Sequence, residues 1–142
     1  MHVEGVMTTT VVTVGPDDPI KTAVDLMREG GFRRLPVIQD GRLVGIITDR
    51  DLRLATISPL VLSEKWYNDF VLESIKVKSC MTPDPITVIP TATVLEAVKL
   101  MRQHKFGGLP VLSEPGGQLV GVITITDVLD FLIDLLEQPA AA

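Results

Sequence analysis

Apolar positions near the start of the chain follow two different periods. The β-branched run "VVTV" (11–14) reads as a short strand. Ile20, Ala23, Val24 and Met27 then recur at three- and four-residue spacing, which predicts a helix with one apolar face. Asp17 or Asp18 is placed to cap that helix, Pro19 falls in its first turn, and Gly30-Gly31 ends it. Two more strands follow, "LPVI" and "LVGII", joined by a tight turn at "QDGR". A further helix is expected to start at Thr48.

The same succession returns downstream. A shift of 74 lays "CMTPDPITVIPTATVLEAVKLMRQHKFGGLPV" against "VMTTTVVTVGPDDPIKTAVDLMREGGFRRLPV", and after Pro115 and Gly116 as a two-residue insertion the shift becomes 76. Residues 7–55 share 21 identities with their counterparts, far beyond chance, so the chain carries one unit twice. Each copy reads as strand, helix, strand, strand, helix. The second has "PITVI" (85–89) as its first strand and Val94, Ala97, Val98 and Met101 on one helix face. That helix ends less sharply, at His104-Lys105 followed by Gly107-Gly108. "LPVL" and "LVGVI" are joined by "SEPGGQ". A last helix runs from Thr124 to about Glu137, with Leu129, Leu132, Ile133 and Leu136 on its apolar side. The expected organisation is repeat 1 over 1–55, a connector over 56–79, repeat 2 over 80–137 and a tail over 138–142. In the connector, Ser63 followed by Trp66, Tyr67, Phe70 and Val71 suits a capped amphipathic helix. It either adds core or faces a partner, and the first is the commoner fate of such a face.

Composition narrows the function. With 46% hydrophobic and 22% charged residues, 142 residues can build a proper core. No apolar run reaches the roughly 20 residues that cross a bilayer. The N-terminus lacks a basic patch followed by an apolar stretch, so a cytoplasmic protein without membrane attachment is expected. A net charge of −5 argues against a nucleic-acid partner bound by counterion release. The single Cys80 excludes an internal disulfide, and His2 and His104 show no ligand spacing, so no metal site is expected. Cys80 aligns with Val6 and reads as a small apolar group. Met7, Met27, Met81 and Met101 recur at equivalent places and read as core. No nucleophile–base pair or paired catalytic carboxylates stand out, so no enzyme is expected and the catalytic set is empty.

Thr48 and Asp51, like Thr124 and Asp127, stand three apart where a strand turns into a helix. That is a capping arrangement, in which both residues satisfy backbone N–H groups. A nucleotide role is compatible with it, since a helix N-terminus suits a phosphate and a carboxylate beside it can take both hydroxyls of a ribose. Repeat 1 also offers Arg33, Arg34, Arg50 and Arg53 where repeat 2 has Gly107, Gly108, Thr126 and Leu129. Lys105 and Arg102 are the nearby cations of the second copy. Phosphate-binding candidates are therefore Arg33, Arg34, Arg50 and Lys105, against the alternative of solvated surface charge.

The doubled "MT", "VTV" or "ITV", helix ending in "LM", "LPV" and "LVGIITDRD" resembles the cystathionine-β-synthase (CBS) domain, and two in tandem resemble a Bateman module. The connector and "CMTPDPITV" are similar to stand-alone pairs of the acetoin-utilisation type. Some of those carry a further C-terminal domain, which is not expected in a chain ending at Ala142. The resemblance implies an α/β (α+β) fold of two β-α-β-β-α repeats packed sheet to sheet with pseudo-twofold symmetry. It implies adenosine compounds (AMP, ADP, ATP or S-adenosylmethionine) as regulatory ligands in clefts between the repeats, with no required cofactor. It further implies a homodimer and a regulated protein partner. By position, Asp51 and Asp127 take ribose, with Thr48 and Thr124 beside the phosphate or ribose. Val12, Val14, Ile86 and Val88 and the flanks of Pro36 and Pro110 are the adenine-pocket candidates, against their reading as plain core. The other functional class left open is a ligand-independent interaction or dimerisation scaffold.

Overall fold

The computed structural model describes residues 1–56 and 65–139. Ser63 lies outside them, and so do the side chains of Trp66 and Tyr67. Two compact units result, one drawn from Val12–Pro85 and the other joining Met1–Val11 to the stretch from Ile86 onward.

The first unit holds α1 (Ile20–Gly30), β1 (Arg34–Gln39), β2 (Arg42–Thr48), α2 (Asp49–Thr56), α3 (Lys65–Ser74) and the two-residue β3 (Thr82–Pro83). β1 and β2 form an antiparallel hairpin with Arg34 opposite Thr48. Asp40 and Gly41 at its turn have φ of 52° and 78°, the two left-handed residues that match the twist of the flanking strands. The second unit repeats this with α4 (Val94–His104), β4 (Gly108–Leu112), β5 (Leu119–Thr124) and α5 (Ile125–Glu137), and Gly108 stands opposite Thr124. Each unit has its own core. One gathers Ile20, Ala23, Met27, Leu35, Val37 and Ile47, the other Ala97, Met101, Leu109, Val111 and Ile123, as the helical and alternating patterns require.

The expected first strands are shorter than their sequence suggests. "VVTV" and "PITVI" each make a single parallel bridge, Val14 to Val37 and Val88 to Val111. The Val14 N–H donates to the Pro36 carbonyl (3.1 Å) and the Val14 carbonyl accepts from the Ile38 N–H (2.9 Å). The next bond on one side would need an N–H from Pro36 and on the other an N–H from Pro16. Neither exists, so the ladder stops after one residue. Pro110 and Pro90 impose the same limit on Val88.

The start of α1 also differs from expectation. Its N-cap is Pro19, with no side-chain cap. The Asp18 carboxylate instead accepts from the Gly15 N–H (2.7 Å), and Asp17 pairs with Lys78 (3.1 Å) and Lys76 (3.6 Å). The Ile20 N–H is satisfied by the Ile75 carbonyl (2.8 Å) and the Thr22 N–H by the Pro19 carbonyl (3.0 Å), so two of the first donors are met without a side-chain cap. α4 does use a capping box, Thr93 with Glu96, at 3.0 Å in both directions.

The segment ahead of each repeat docks on the other copy's unit. The Val77 N–H donates to the Asp18 carbonyl and the Lys78 N–H to the Pro16 carbonyl. At the equivalent places, the Val3 N–H donates to Ala92 and the Glu4 N–H to Pro90. Met81 and Thr82 then run along β2, and Met7 and Thr8 along β5. The arms are thus exchanged relative to the sequence copies. The connector helix α3 adds core through Leu72, and Ile75 just past its end does the same, while Phe70 stays exposed.

Candidate functional site: two acid-tipped turns

Both strand-to-helix junctions are capping boxes. In the first unit the Asp51 N–H donates to Thr48 Oγ1 (3.1 Å), and the Thr48 N–H donates to Asp51 Oδ2 (2.9 Å). In the second, the Asp127 N–H donates to Thr124 Oγ1 (3.2 Å) and the Thr124 N–H to Asp127 Oδ2 (2.9 Å). The junctions are also tied to the preceding hairpin strand. The Asp49 N–H donates to the Arg33 carbonyl (2.9 Å), and the Ile125 N–H to the Gly107 carbonyl (3.0 Å). The capping role is therefore real in both copies, and any ligand role uses what capping leaves over.

The leftovers are unequal. Among the described residues, Asp51 Oδ1 has no partner and Asp51 Oδ2 has one. Asp127 Oδ2 also accepts from the Thr124 hydroxyl (3.0 Å), and Asp127 Oδ1 accepts from the Thr8 hydroxyl (2.9 Å). Thr8 is 119 residues away in sequence, and only its place in the doubled "MT" pair hinted that it matters.

Charge is unequal too. Arg34, opposite Thr48, is half-buried; burial lowers its pKa, the neighbouring Asp49 raises it, and Arg33 lowers it again. Arg33 and Arg50 are exposed, as is Lys105, which sits in the left-handed region (φ 58°) at the end of α4. Arg33, Arg34 and Arg50 therefore all adjoin the Thr48–Asp51 turn, Arg33 just before β1, Arg34 at its start and Arg50 in the first turn of α2. Lys105 lies at a helix end two residues before Gly107. Of the adenine-pocket candidates, Val14, Val88, Pro36 and Pro110 are buried in the two cores, and Val12 and Ile86 are half-buried. The Cys80 thiol is partly covered, and burial first, then the Asp51 charge, pushes its pKa up, so it is a poor nucleophile. No three His, Cys, Asp or Glu side chains group as metal ligands among the described residues, and no helix there is long and apolar enough to cross a membrane.

The family model described as CBS domain matches residues 3–58 and again 77–134. The chain belongs to the CBS-domain family. A CBS domain-containing protein of Dictyostelium discoideum is 42% identical over 139 residues, covering 95% of this chain and 93% of that one. Among solved structures, a Vibrio cholerae protein assigned to acetoin utilization (AcuB) has a TM-score of 0.79 at 29% identity, with 96% and 93% of the two chains covered. CBSX2 of Arabidopsis thaliana, solved in complex with AMP, has a TM-score of 0.80 at 27% identity, with 96% and 99% covered. The tandem β-α-β-β-α reading is the CBS-pair fold, and the similarity to acetoin-utilisation-type pairs holds. A CBS pair of this kind is not itself an enzyme.

Proposed function

We propose that the chain senses an adenosine-containing ligand through its two acid-tipped turns. The observation that carries this reading is the Thr48–Asp51 turn. Among the described residues its carboxylate keeps an unpartnered oxygen, and Arg34, whose guanidinium supplies N–H donors, stands across the hairpin from Thr48. A vicinal diol needs carboxylate acceptors, and a phosphate needs N–H donors and a guanidinium. The AMP bound by CBSX2 supports the class of ligand. Asp51 and Asp127 take ribose hydroxyls, Thr48 and Thr124 line the sugar or phosphate, and Arg33, Arg34 and Arg50 balance phosphate in the first unit, with Lys105 in the second. Val12 and Ile86 flank the adenine, and the buried Val14, Val88, Pro36 and Pro110 back it. Binding acts as a signal when the ligand prefers one conformation or assembly over another, read by a protein partner in the cytoplasm.

A thermal-shift panel with AMP, ADP, ATP and S-adenosylmethionine tests the reading. At least one raises the melting temperature, and Asp51→Asn with Asp127→Asn abolishes the rise. A flat panel would leave the second reading, a dimerisation scaffold. That one is favoured by α5, whose Leu129, Leu132, Ile133 and Leu136 are all exposed and form a stripe that a second copy of the chain would cover in either reading.

A further inference from the structure

We infer that Thr8 makes the two turns unequal, so that the Asp51 turn fills first and the Asp127 turn fills only when its ligand displaces the Thr8 hydroxyl. This rests on the ribose-binding reading above and concerns the order in which that reading's sites are used. A carboxylate offers about four lone-pair positions, and a vicinal diol held by both hydroxyls takes two of them. Asp127 has three of its positions used, by the Thr124 N–H, the Thr124 hydroxyl and the Thr8 hydroxyl. Among the described residues, Asp51 has one used, by the Thr48 N–H. A diol therefore docks on Asp51 without breaking a bond, whereas on Asp127 it must break one.

The sequence alone would not make this distinction. Thr8 and Thr82 are counterparts in the two copies, and their backbones pair in the same way, Thr8 with Val122 and Thr82 with Ile46. Only the hydroxyls part company. Thr8 donates to Asp127 at 2.9 Å, while Thr82 makes no bond to Asp51. Beside Asp51 the arm instead places Cys80, a weak donor whose thiol burial keeps protonated. The Thr8 side chain also belongs to the arm that the second unit receives from the start of the chain, so its hydroxyl links arm docking to ligand entry. Both of its backbone bonds, N–H to Val122 (2.9 Å) and carbonyl from Val122 (3.0 Å), are independent of the hydroxyl. Valine keeps the branched shape and those bonds while removing the donor.

Isothermal titration calorimetry with AMP and with adenosine decides the matter. Two binding steps are expected, the tighter lost in Asp51→Asn and the weaker lost in Asp127→Asn. Thr8→Val tightens the weaker step about threefold or more, the scale of one exchanged hydrogen bond, and leaves the tighter step unchanged. Thr8→Ser, which keeps the hydroxyl, retains the wild-type weaker step. The tightening appears with adenosine as well as AMP, which separates it from any preference that the arginines give to phosphate. A weaker step unmoved in a folded Thr8→Val, or equally tight in Thr8→Ser and Thr8→Val, overturns the inference and leaves the ribose reading standing. Steps indifferent to both Asp variants, or no binding of either probe, overturn the ribose reading and the inference with it.

Discussion

Gly45 and Gly121 each follow Leu-Val and meet the same constraint. A Cβ on Gly45 would lie 2.6 Å from the Met81 sulfur and 2.9 Å from the Thr82 carbonyl oxygen. On Gly121 it would lie 2.8 Å from the Met7 sulfur and 2.9 Å from the Thr8 carbonyl oxygen. The sulfur can move but the backbone oxygen cannot without loosening the arm from the strand. Gly45→Ala is therefore expected to destabilise by about 1–3 kcal/mol, the range for overpacking, seen as a lower urea midpoint with unchanged slope. An unchanged midpoint would mean that the arm is not seated on β2. The recurrence of these glycines was legible in the sequence; its reason was not, because the atoms that forbid a side chain arrive from the other copy. Asp17 shows the same limit. Its hydrogen bond to Lys78, with the charges of Lys78 and Lys76, lowers its pKa, so the cluster favours folding above the unfolded carboxylate's pKa and loses this as pH falls. At a fully exposed site that contribution is small and screened by salt.

Elements were read well where one period dominated. The helix faces of α1 and α4, the hairpin turn at Asp40-Gly41 and the end of α5 at Glu137 all follow local pattern and turn chemistry. The short first strands and the uncapped start of α1 were not legible, since the pairing that sets a facing-strand proline against the one just after each first strand, and a carbonyl from Ile75, decide them. α5 carries the strongest prediction at this scale. Ile125, Leu129, Leu132, Ile133 and Leu136 follow helical spacing, and each is at least 43% exposed, although such a stripe is usually covered. With a second copy on that stripe, light scattering returns twice the chain mass for the wild type and the monomer mass for a Leu132→Glu, Ile133→Glu double variant. A monomeric wild type at micromolar concentration would count against the dimer. The mutated face holds none of the core residues of the second unit, so folding is retained.

At the scale of the whole molecule, the exchange of arms means that each compact unit needs sequence from both copies. A fragment spanning residues 12–85 contains α1, the β1–β2 hairpin and its own docking arm, whereas residues 1–73 contain repeat 1 with the wrong arm. The first is expected to show cooperative thermal unfolding by circular dichroism and the second to lack it, the buried Val77 and the partly buried Met81 being absent. Equal behaviour of the two fragments would show that arm docking contributes nothing to the core. Local spacing along the chain dictates the repeat, the kinds of element, the capping pairs Thr48–Asp51 and Thr124–Asp127, and the family, because each is a short-range pattern that survives translation from one copy to the next. Tertiary structure alone decided which arm docks on which unit, why the first strands stop after one bridge, and which carboxylate keeps a free oxygen. Those outcomes depend on groups scores of residues apart whose N–H, carbonyl and hydroxyl vectors meet only once the chain has folded.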